Sequence, residues 1–461
     1  MISLWDSFTP SRTAAGVLHG RGNSVSLTDL AAGSTLQGTL ESLRGASLLI
    51  ATGEQLPTAV ALLELDGVAR RMVLCTPDLT PQQLADIAGT TQAAAVVLDS
   101  CTAALDLPGA LTRCVAAPQP EGAAIRRHSS ERTEWILLTS GTTGTPKLVV
   151  HTLSSLAGTL PRQAPAAGRM VWSTFYDIRR FGGLQIYLRA MLGGVPLVLS
   201  SPQESTREFF LRAAAAGVTH ISGTPSHWRR ALMSGDAGLL QPEYVRLSGE
   251  VADQSILDNL RAAYPHARIA HAFASTEAGV AFEVEDGRAG FPAGIIDAAR
   301  GAIDLKVEDG TLRIRSSRNA ARYLGAAENV LANDDGYVDT GDLVELVAGR
   351  YHFRGRKGGI INVGGLKVYP EEVEAVLNAD PRVRMSLVRA RRNPITGAVV
   401  AAEVVLAEPL DAALPASAER IKSELLSACR RELAAYKVPA TLRFVPALDL
   451  TAGGKLVRPN A

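Results

Sequence analysis

One run of residues has an obvious chemical use: Leu138-Thr139-Ser140-Gly141-Thr142-Thr143-Gly144-Thr145-Pro146-Lys147. Glycines let backbone N–H groups approach phosphate oxygens, hydroxyls add donors, and Lys147 brings a mobile positive charge. Such a loop suits a triphosphate. It is not the Walker pattern, because Pro146 stands where the second glycine belongs and Leu148 follows the lysine in place of Ser or Thr. A plain polar turn would use some of these residues, but five hydroxyls, two glycines and a lysine rarely crowd into one.

The elements around the loop alternate between β-rich and helical runs, the pattern of α/β layering. Ser47 to Ala51 and Arg71 to Cys75 read as buried strands, with a helix from Gln55 to Leu65 between them. Pro81 to Ile87 reads as the next helix, with proline in its first turn, and Ala95 to Leu98 as the strand after it. That is a βαβαβ unit. From Val115 to Arg132 the Ala/Pro-rich chain loses periodicity, which predicts a surface linker into a strand at Trp135 to Leu138 that delivers the loop. A second boundary follows Tyr351-His352-Phe353-Arg354, where Gly355-Arg356-Lys357-Gly358-Gly359 is flexible and basic. The expected organisation is therefore a large α/β domain over 1–354 and a smaller α+β domain over 355–461, hinged near Gly358. There are no internal repeats, and only 407–418 resembles low complexity.

Composition excludes several classes. The chain has 461 residues, 46% hydrophobic and 20% charged, enough to bury a sizeable core. Net charge is +1, so no surplus advertises nucleic acid or an anionic membrane as partner. Cys75, Cys101, Cys114 and Cys429 lie far apart, without close pairs for a metal or redox motif, which fits a reducing cytoplasm. The N-terminus lacks a basic start followed by an apolar stretch, and no apolar run approaches membrane-spanning length. The expectation is a cytoplasmic protein without nucleic-acid partner or membrane insertion.

From about Trp135 onward the sequence resembles the adenylate-forming enzymes, which include acyl- and aryl-CoA ligases, luciferases and adenylation domains of peptide synthetases. The loop ending at Lys147 is the first matching element, and the others follow it in order. The resemblance implies that Thr139, Ser140, Gly141, Thr142, Thr143 and Gly144 cradle phosphates. It puts Ser248-Gly249-Glu250 near adenine. In His271-Ala272-Phe273-Ala274-Ser275-Thr276-Glu277 it makes Phe273 stack on the base beside Ala274 and Ser275, Thr276 touch phosphate, and Glu277 hold Mg²⁺. Those roles suit the residues themselves, since an aromatic face fits a purine and a carboxylate is an oxygen ligand for Mg²⁺. Taken alone, Phe273 also reads as a core aromatic and Glu277 as a helix-start carboxylate capped by Ser275 or Thr276. The resemblance further implies that Asp342, closing Asp335-Gly336-Tyr337-Val338-Asp339-Thr340-Gly341-Asp342, binds the ribose hydroxyls, and that Arg356 reaches ribose or phosphate. Gly364 and Gly365, before a helix near Glu371-Glu372-Val373-Glu374, would border a tunnel for the thiol of coenzyme A. Lys455 in Gly453-Gly454-Lys455-Leu456 would contact the carboxylate and α-phosphate.

The chain departs from the family in three places. Gly358 stands where Asp or Lys is frequent, Ala274 replaces a glycine, and Phe175-Tyr176-Asp177-Ile178-Arg179-Arg180-Phe181 lacks the usual histidine. Tyr176 or Asp177 would replace that histidine in an acyl pocket including Phe181 and Ala272. The cluster Asp177, Arg179 and Arg180 reads either as a grip on a polar acid or as a solvated helix face. The resemblance thus implies activation of a carboxylic acid with ATP and Mg²⁺, with transfer to coenzyme A. Catalysis would rest on Lys147, Thr276, Glu277 and Lys455. Alternative acceptors are the phosphopantetheine arm of an acyl carrier protein or another nucleophile; a nucleotide-binding regulator without catalysis is the reading from another class.

Overall fold

The computed structural model describes residues 3–8, 16–36, 38–107, 111–122, 129–139, 146–158, 160, 170–298, 303–325, 331–394, 396–408, 415–451 and 454–457. The architecture is α/β, with a large N-terminal part and a smaller C-terminal part. One sheet of the large part runs in the order Arg322–Leu324, Lys147–Thr152, Glu134–Thr139, Arg71–Leu74, Ser47–Ile50, Ala95–Leu98, Thr112–Val115. Every residue of Ser47–Ile50, Arg71–Leu74 and Ala95–Leu98 is buried, as parallel strands covered on both faces must be. Helix Gln55–Leu65 is buried on almost every side, so its sequence is apolar all round. Helix Pro81–Thr91 starts on a Thr80–Gln83 capping box with proline in the first turn and continues past Ile87. The βαβαβ unit is present as expected.

A second sheet runs Gly279–Val284, Arg268–Ser275, Tyr244–Ser248, His220–Gly223, Trp172–Thr174, Leu197–Leu199, Val17–His19, Ser24–Ser26. Trp172–Thr174, His220–Gly223, Tyr244–Ser248 and Arg268–Ser275 are mutually parallel. Their carboxyl ends therefore open on one edge, where α/β sheets receive ligands. The residues immediately beyond those ends are Phe175-Tyr176, Thr224, Gly249 and Thr276. A third sheet pairs Phe291–Pro292, Arg350–Arg356, Val338–Val347, Thr311–Ser316 and Ile303–Glu308 in antiparallel fashion.

The C-terminal strands Val383–Asn393, Gly397–Leu406 and Thr441–Phe444 form their own sheet. With helices Pro370–Asn378 and Pro415–Glu432 they enclose a separate apolar cluster that includes Ile361, Val373, Leu377, Val404, Leu425 and Cys429. Within the stretch 407–418 that resembles low complexity, the residues from Pro415 are helix, as its alanines favour. This part rests on the large one through Asp253, whose carboxylate accepts from Arg229 at 2.5 Å and from Asn378 at 3.2 Å. No described helix is long and apolar enough to cross a membrane.

Candidate active site

The strand ends bring together residues from distant parts of the chain. Thr224 caps helix Pro225–Met233 and takes part in a capping box with His227, which fixes the start of that helix. The Thr224 hydroxyl also donates to the carbonyl of Gly454 at 2.6 Å. Glu250 accepts from the amides of Ser226 (2.9 Å) and Leu456 (3.0 Å), bridging the large part to the C-terminal loop. Between these contacts stands Lys455. Gly249 has φ +86°, and a β-carbon there would lie 3.3 Å from Lys455 Cε, so glycine leaves the lysine its place. Solvent still reaches Lys455, yet partial burial of its ammonium lowers its pKa; Glu250 and Asp342 oppose the shift, while Arg356 and Arg180 add to it.

Asp342 and Arg356 face each other across the Val338–Val347 and Arg350–Arg356 strands, 3.4 Å apart. Burial raises the Asp342 carboxyl above its ordinary value, with the Arg356 guanidinium opposing. Arg356 also donates to the carbonyl of Thr340 at 2.8 Å. Thr139 ends its strand and Lys147 begins the next; Ser140, Gly141, Thr142, Thr143 and Gly144 lie outside the described residues. The Lys147 ammonium sits 5.3 Å from the ring centre of Tyr323, whose hydroxyl donates to Glu277 at 3.3 Å. Burial, with Glu277 nearby, pushes the Tyr323 hydroxyl up to about 12. Lys147, Ser275, Glu277, Tyr323 and Arg356 line one cavity of about 400 Å³.

Glu277 does not start a helix. Thr276–Ala278 is the turn between the antiparallel strands Arg268–Ser275 and Gly279–Val284, closed by the Ala278 amide donating to Ser275 Oγ at 3.0 Å. The Thr276 carbonyl accepts from Nε2 of buried His151 at 2.7 Å, which fixes that tautomer, and Nδ1 faces Ser155 Oγ at 2.9 Å. His151 and Tyr323 carry no motif of their own and were not singled out from sequence. Phe273 packs nearly parallel to Phe282 and Phe353, with centroids 5.8 and 5.1 Å away, and the strand register shifts between it and Ala274.

On the expected acyl side, Tyr176 is buried and donates to the Ser248 carbonyl at 2.6 Å. The reading of Asp177, Arg179 and Arg180 as a solvated face fails for Arg179, which is fully buried. It grips Asp177 through Nε (2.8 Å) and Nη2 (2.6 Å) and donates to the Thr52 carbonyl, so the pair is built into the fold. Arg180 instead pairs with Asp78 at 2.9 Å. Ala272 lies inside its strand opposite Ser248 and Glu283. Phe181 opens helix Phe181–Gly193 and lines a separate cavity of about 240 Å³.

Gly364 and Gly365 form the hairpin turn between Ile361–Val363 and Leu366–Val368, at φ +58° and +89°. Gly358 has no left-handed backbone; Gly355 does, at φ +121°, where a side chain would overlap the Glu371 carboxylate. Among the described residues no group of three or more metal-binding side chains gathers. A hard cation would therefore rest on Glu277 and on oxygens of a bound nucleotide, which is how Mg²⁺ binds when phosphates share its coordination. Taken together, Lys147, Lys455 and Arg356 stand with the carboxylates of Glu277 and Asp342, a set suited to neutralising phosphate charge.

Residues 46–324 match the family model described as AMP-binding enzyme, and residues 372–455 match the AMP-binding enzyme C-terminal domain. A 2-succinylbenzoate–CoA ligase of Geobacillus kaustophilus (strain HTA426) is 30% identical over 357 residues, covering 71% of this chain and 68% of that one. The ligase of the same description from Salmonella typhimurium (strain LT2) is 28% identical over 376 residues, covering 78% and 75%. Among solved structures, the anthranilate CoA ligase AuaEII in complex with anthranoyl-AMP superposes with a TM-score of 0.80 at 18% identity, covering 98% of this chain and 94% of that one.

Proposed function

We infer the function from a fixed premise: the chain belongs to the AMP-binding enzyme family, whose members are adenylate-forming. It is an acid–thiol ligase. A carboxylate oxygen attacks the α-phosphorus of ATP, the bond to the β-phosphate oxygen breaks, and pyrophosphate leaves. A thiol sulfur, that of coenzyme A, then attacks the acyl carbon, and AMP leaves with the oxygen that joined it.

The observation that carries the assignment of roles is the seating of Lys455 against Gly249, between the Thr224 and Glu250 contacts. Displacement at phosphorus needs positioning and charge neutralisation more than a covalent nucleophile. Lys455 would neutralise the attacking carboxylate and α-phosphate, a role its seat against Gly249 supports. Lys147 and Arg356 would take the remaining phosphate charge, Asp342 the ribose hydroxyls, and Thr276 a phosphate oxygen. Mg²⁺, held at Glu277, would supply further charge neutralisation. Gly249, Glu250 and Phe273 would border the base, as the resemblance implies. For the second step Lys455 has to leave so that a thiol can enter past Gly364 and Gly365, by rotation of 355–461 about the segment containing Gly358.

The relatives' acid, 2-succinylbenzoate, marks an aromatic or similarly sized acid as the first to try. Release of pyrophosphate from ATP on adding an acid, followed by AMP and acyl-CoA on adding coenzyme A, tests the reading. Pyrophosphate release with no product on coenzyme A, but transfer to a carrier-protein phosphopantetheine, would replace the acceptor. No acid-dependent release from a broad panel would overturn the function.

A further inference from the structure

His227 carries no role in either half-reaction, yet its imidazole stands where the C-terminal loop meets the large part. The first turn of helix Pro225–Met233 presents it, beside the Thr224 that caps the helix. Phe175 stacks on the ring, with centroids 5.4 Å apart and planes 13° apart, and Tyr176 meets it edge-on at 5.7 Å. Another side is closed by the loop: a β-carbon at Gly454 would overlap Cε1 and Nε2. The loop therefore rests on the imidazole itself.

The hydrogen bonds around the ring fix both its tautomer and the residue beside it. The Thr224 amide donates to Nδ1 at 3.2 Å, so Nδ1 keeps its lone pair and the neutral ring bears its proton on Nε2, the side that meets Gly454. The Thr224 hydroxyl accepts from the His227 amide at 2.9 Å, lies 3.1 Å from Nδ1, and donates to the Gly454 carbonyl at 2.6 Å. One residue further on, Lys455 packs against Gly249. A proton added at Nδ1 would face the Thr224 N–H and end that bond, and the resulting imidazolium would set a positive charge one residue from the Lys455 ammonium. Burial, with Arg230 of the same helix adding to it, lowers the imidazole to about 4. The other titratable groups around it are Tyr176, Lys455 and Glu250, which accepts from the neighbouring Ser226 amide.

We propose that His227 is a positioning residue for adenylation: as a neutral ring it seats Gly454 and, through Thr224 and the loop, sets Lys455 in place. The proposal rests on the part given to Lys455 in the acid-activating function and adds the group that places it. The covered ring refuses a proton that an uncovered ring near 6.5 would take. Seating is therefore complete above about 6.5 and weakens as pH falls toward 4.

The test uses the full chain with His227→Ala and His227→Gln. Glutamine at this helix position keeps an acceptor for the Thr224 amide but has neither a ring nor a proton to gain. Hydrogen–deuterium exchange reads the protection of residues 454–457, whose Leu456 amide Glu250 holds. Pyrophosphate release and thioester formation from preformed acyl-adenylate read the two half-reactions. His227→Ala is expected to lose loop protection and about tenfold or more of pyrophosphate release, with thioester formation kept within about twofold. His227→Gln should recover part of the release. Between pH 7 and pH 5 the parent should lose roughly tenfold more of its loop protection than His227→Gln does. Both variants are checked by melting transition, and His227→Gln carries the comparison if the alanine form is unfolded. Equal loss in the two half-reactions, parental release in the variants, or the parental pH dependence in His227→Gln overturns the proposal. Loop protection that depends on His227 as expected, with no acid-dependent pyrophosphate release from any of the three proteins, supports the seat while removing the ligase reading itself.

Discussion

Gly454 stands against the imidazole of His227 so closely, at φ +69°, that any β-carbon at 454 would overlap the ring. The glycine is what lets the C-terminal loop seat Lys455 beside Gly249. Replacing it with alanine adds both a steric overlap and a left-handed backbone that L side chains resist. Gly454→Ala is expected to lower acid-dependent pyrophosphate release roughly 10²-fold, approaching the loss of the lysine itself. Unfolding free energy should stay within about 1 kcal/mol of the parent, because local opening of a loop held by few hydrogen bonds leaves the core packing intact. Adenylation at parental rate would mean that the seat is dispensable.

Glu277 lines the 400 Å³ cavity with Tyr323 hydrogen-bonded to it, and is the carboxylate proposed to hold a cation there. Glu277→Gln keeps size and hydrogen-bonding capacity but removes the charge. Pyrophosphate release is expected to fall by about 10² or more, with the Mg²⁺ concentration for half-maximal rate rising. An unchanged rate and an unchanged Mg²⁺ curve would reduce Glu277 to a residue of the turn.

His151 ties acid stability to the same turn. Burial lowers its imidazole to about 4, with the hydrogen bond to the Thr276 carbonyl opposing, whereas the unfolded side chain titrates near 6.5. Between those values the unfolded chain binds a proton that the folded chain refuses, so stability is complete above about 6.5 and falls as pH drops toward 4. The total for His151 is on the order of 3 kcal/mol. Denaturant unfolding at pH 7 and pH 4.5 should show this slope, and it should be shallower in His151→Gln. Equal slopes in both proteins would remove His151 as its source.

Much of this was legible where chemistry and local structure coincide. The βαβαβ unit and the helix Gln55–Leu65 followed from apolar runs and punctuation, and Lys147, Glu277, Asp342 and Lys455 from elements that recur in order. His151 and Tyr323 were not legible, because each is an isolated strand residue with no signature around it. Strand order places them: Arg322–Leu324 pairs with Lys147–Thr152, setting Tyr323 beside Lys147. The carboxylate of Asp177 looked available from sequence for the opposite reason, since nothing local reveals that Arg179 turns inward to take it.

The seat of Lys455 also allows the two half-reactions to be separated. Among the described residues the loop hydrogen-bonds to the large part at its edges, by Thr224 to the Gly454 carbonyl and by Glu250 to the Leu456 amide, while the lysine itself makes no ion pair with a described residue. A charge held this way can act during adenylation and then leave with the loop, at the cost of two hydrogen bonds worth about 1–3 kcal/mol each. Lys455→Ala should therefore lose pyrophosphate release by roughly 10² or more, from the missing charge where the carboxylate meets the α-phosphate. Given preformed acyl-adenylate and coenzyme A, the same variant should make thioester at close to the parental rate, because the proposed rotation would have withdrawn the lysine by then. The comparison needs both assays on one preparation, so that folding is common to both. Equal loss in the two would mean that Lys455 stays in the cleft throughout, and rotation of residues 355–461 would lose its main support.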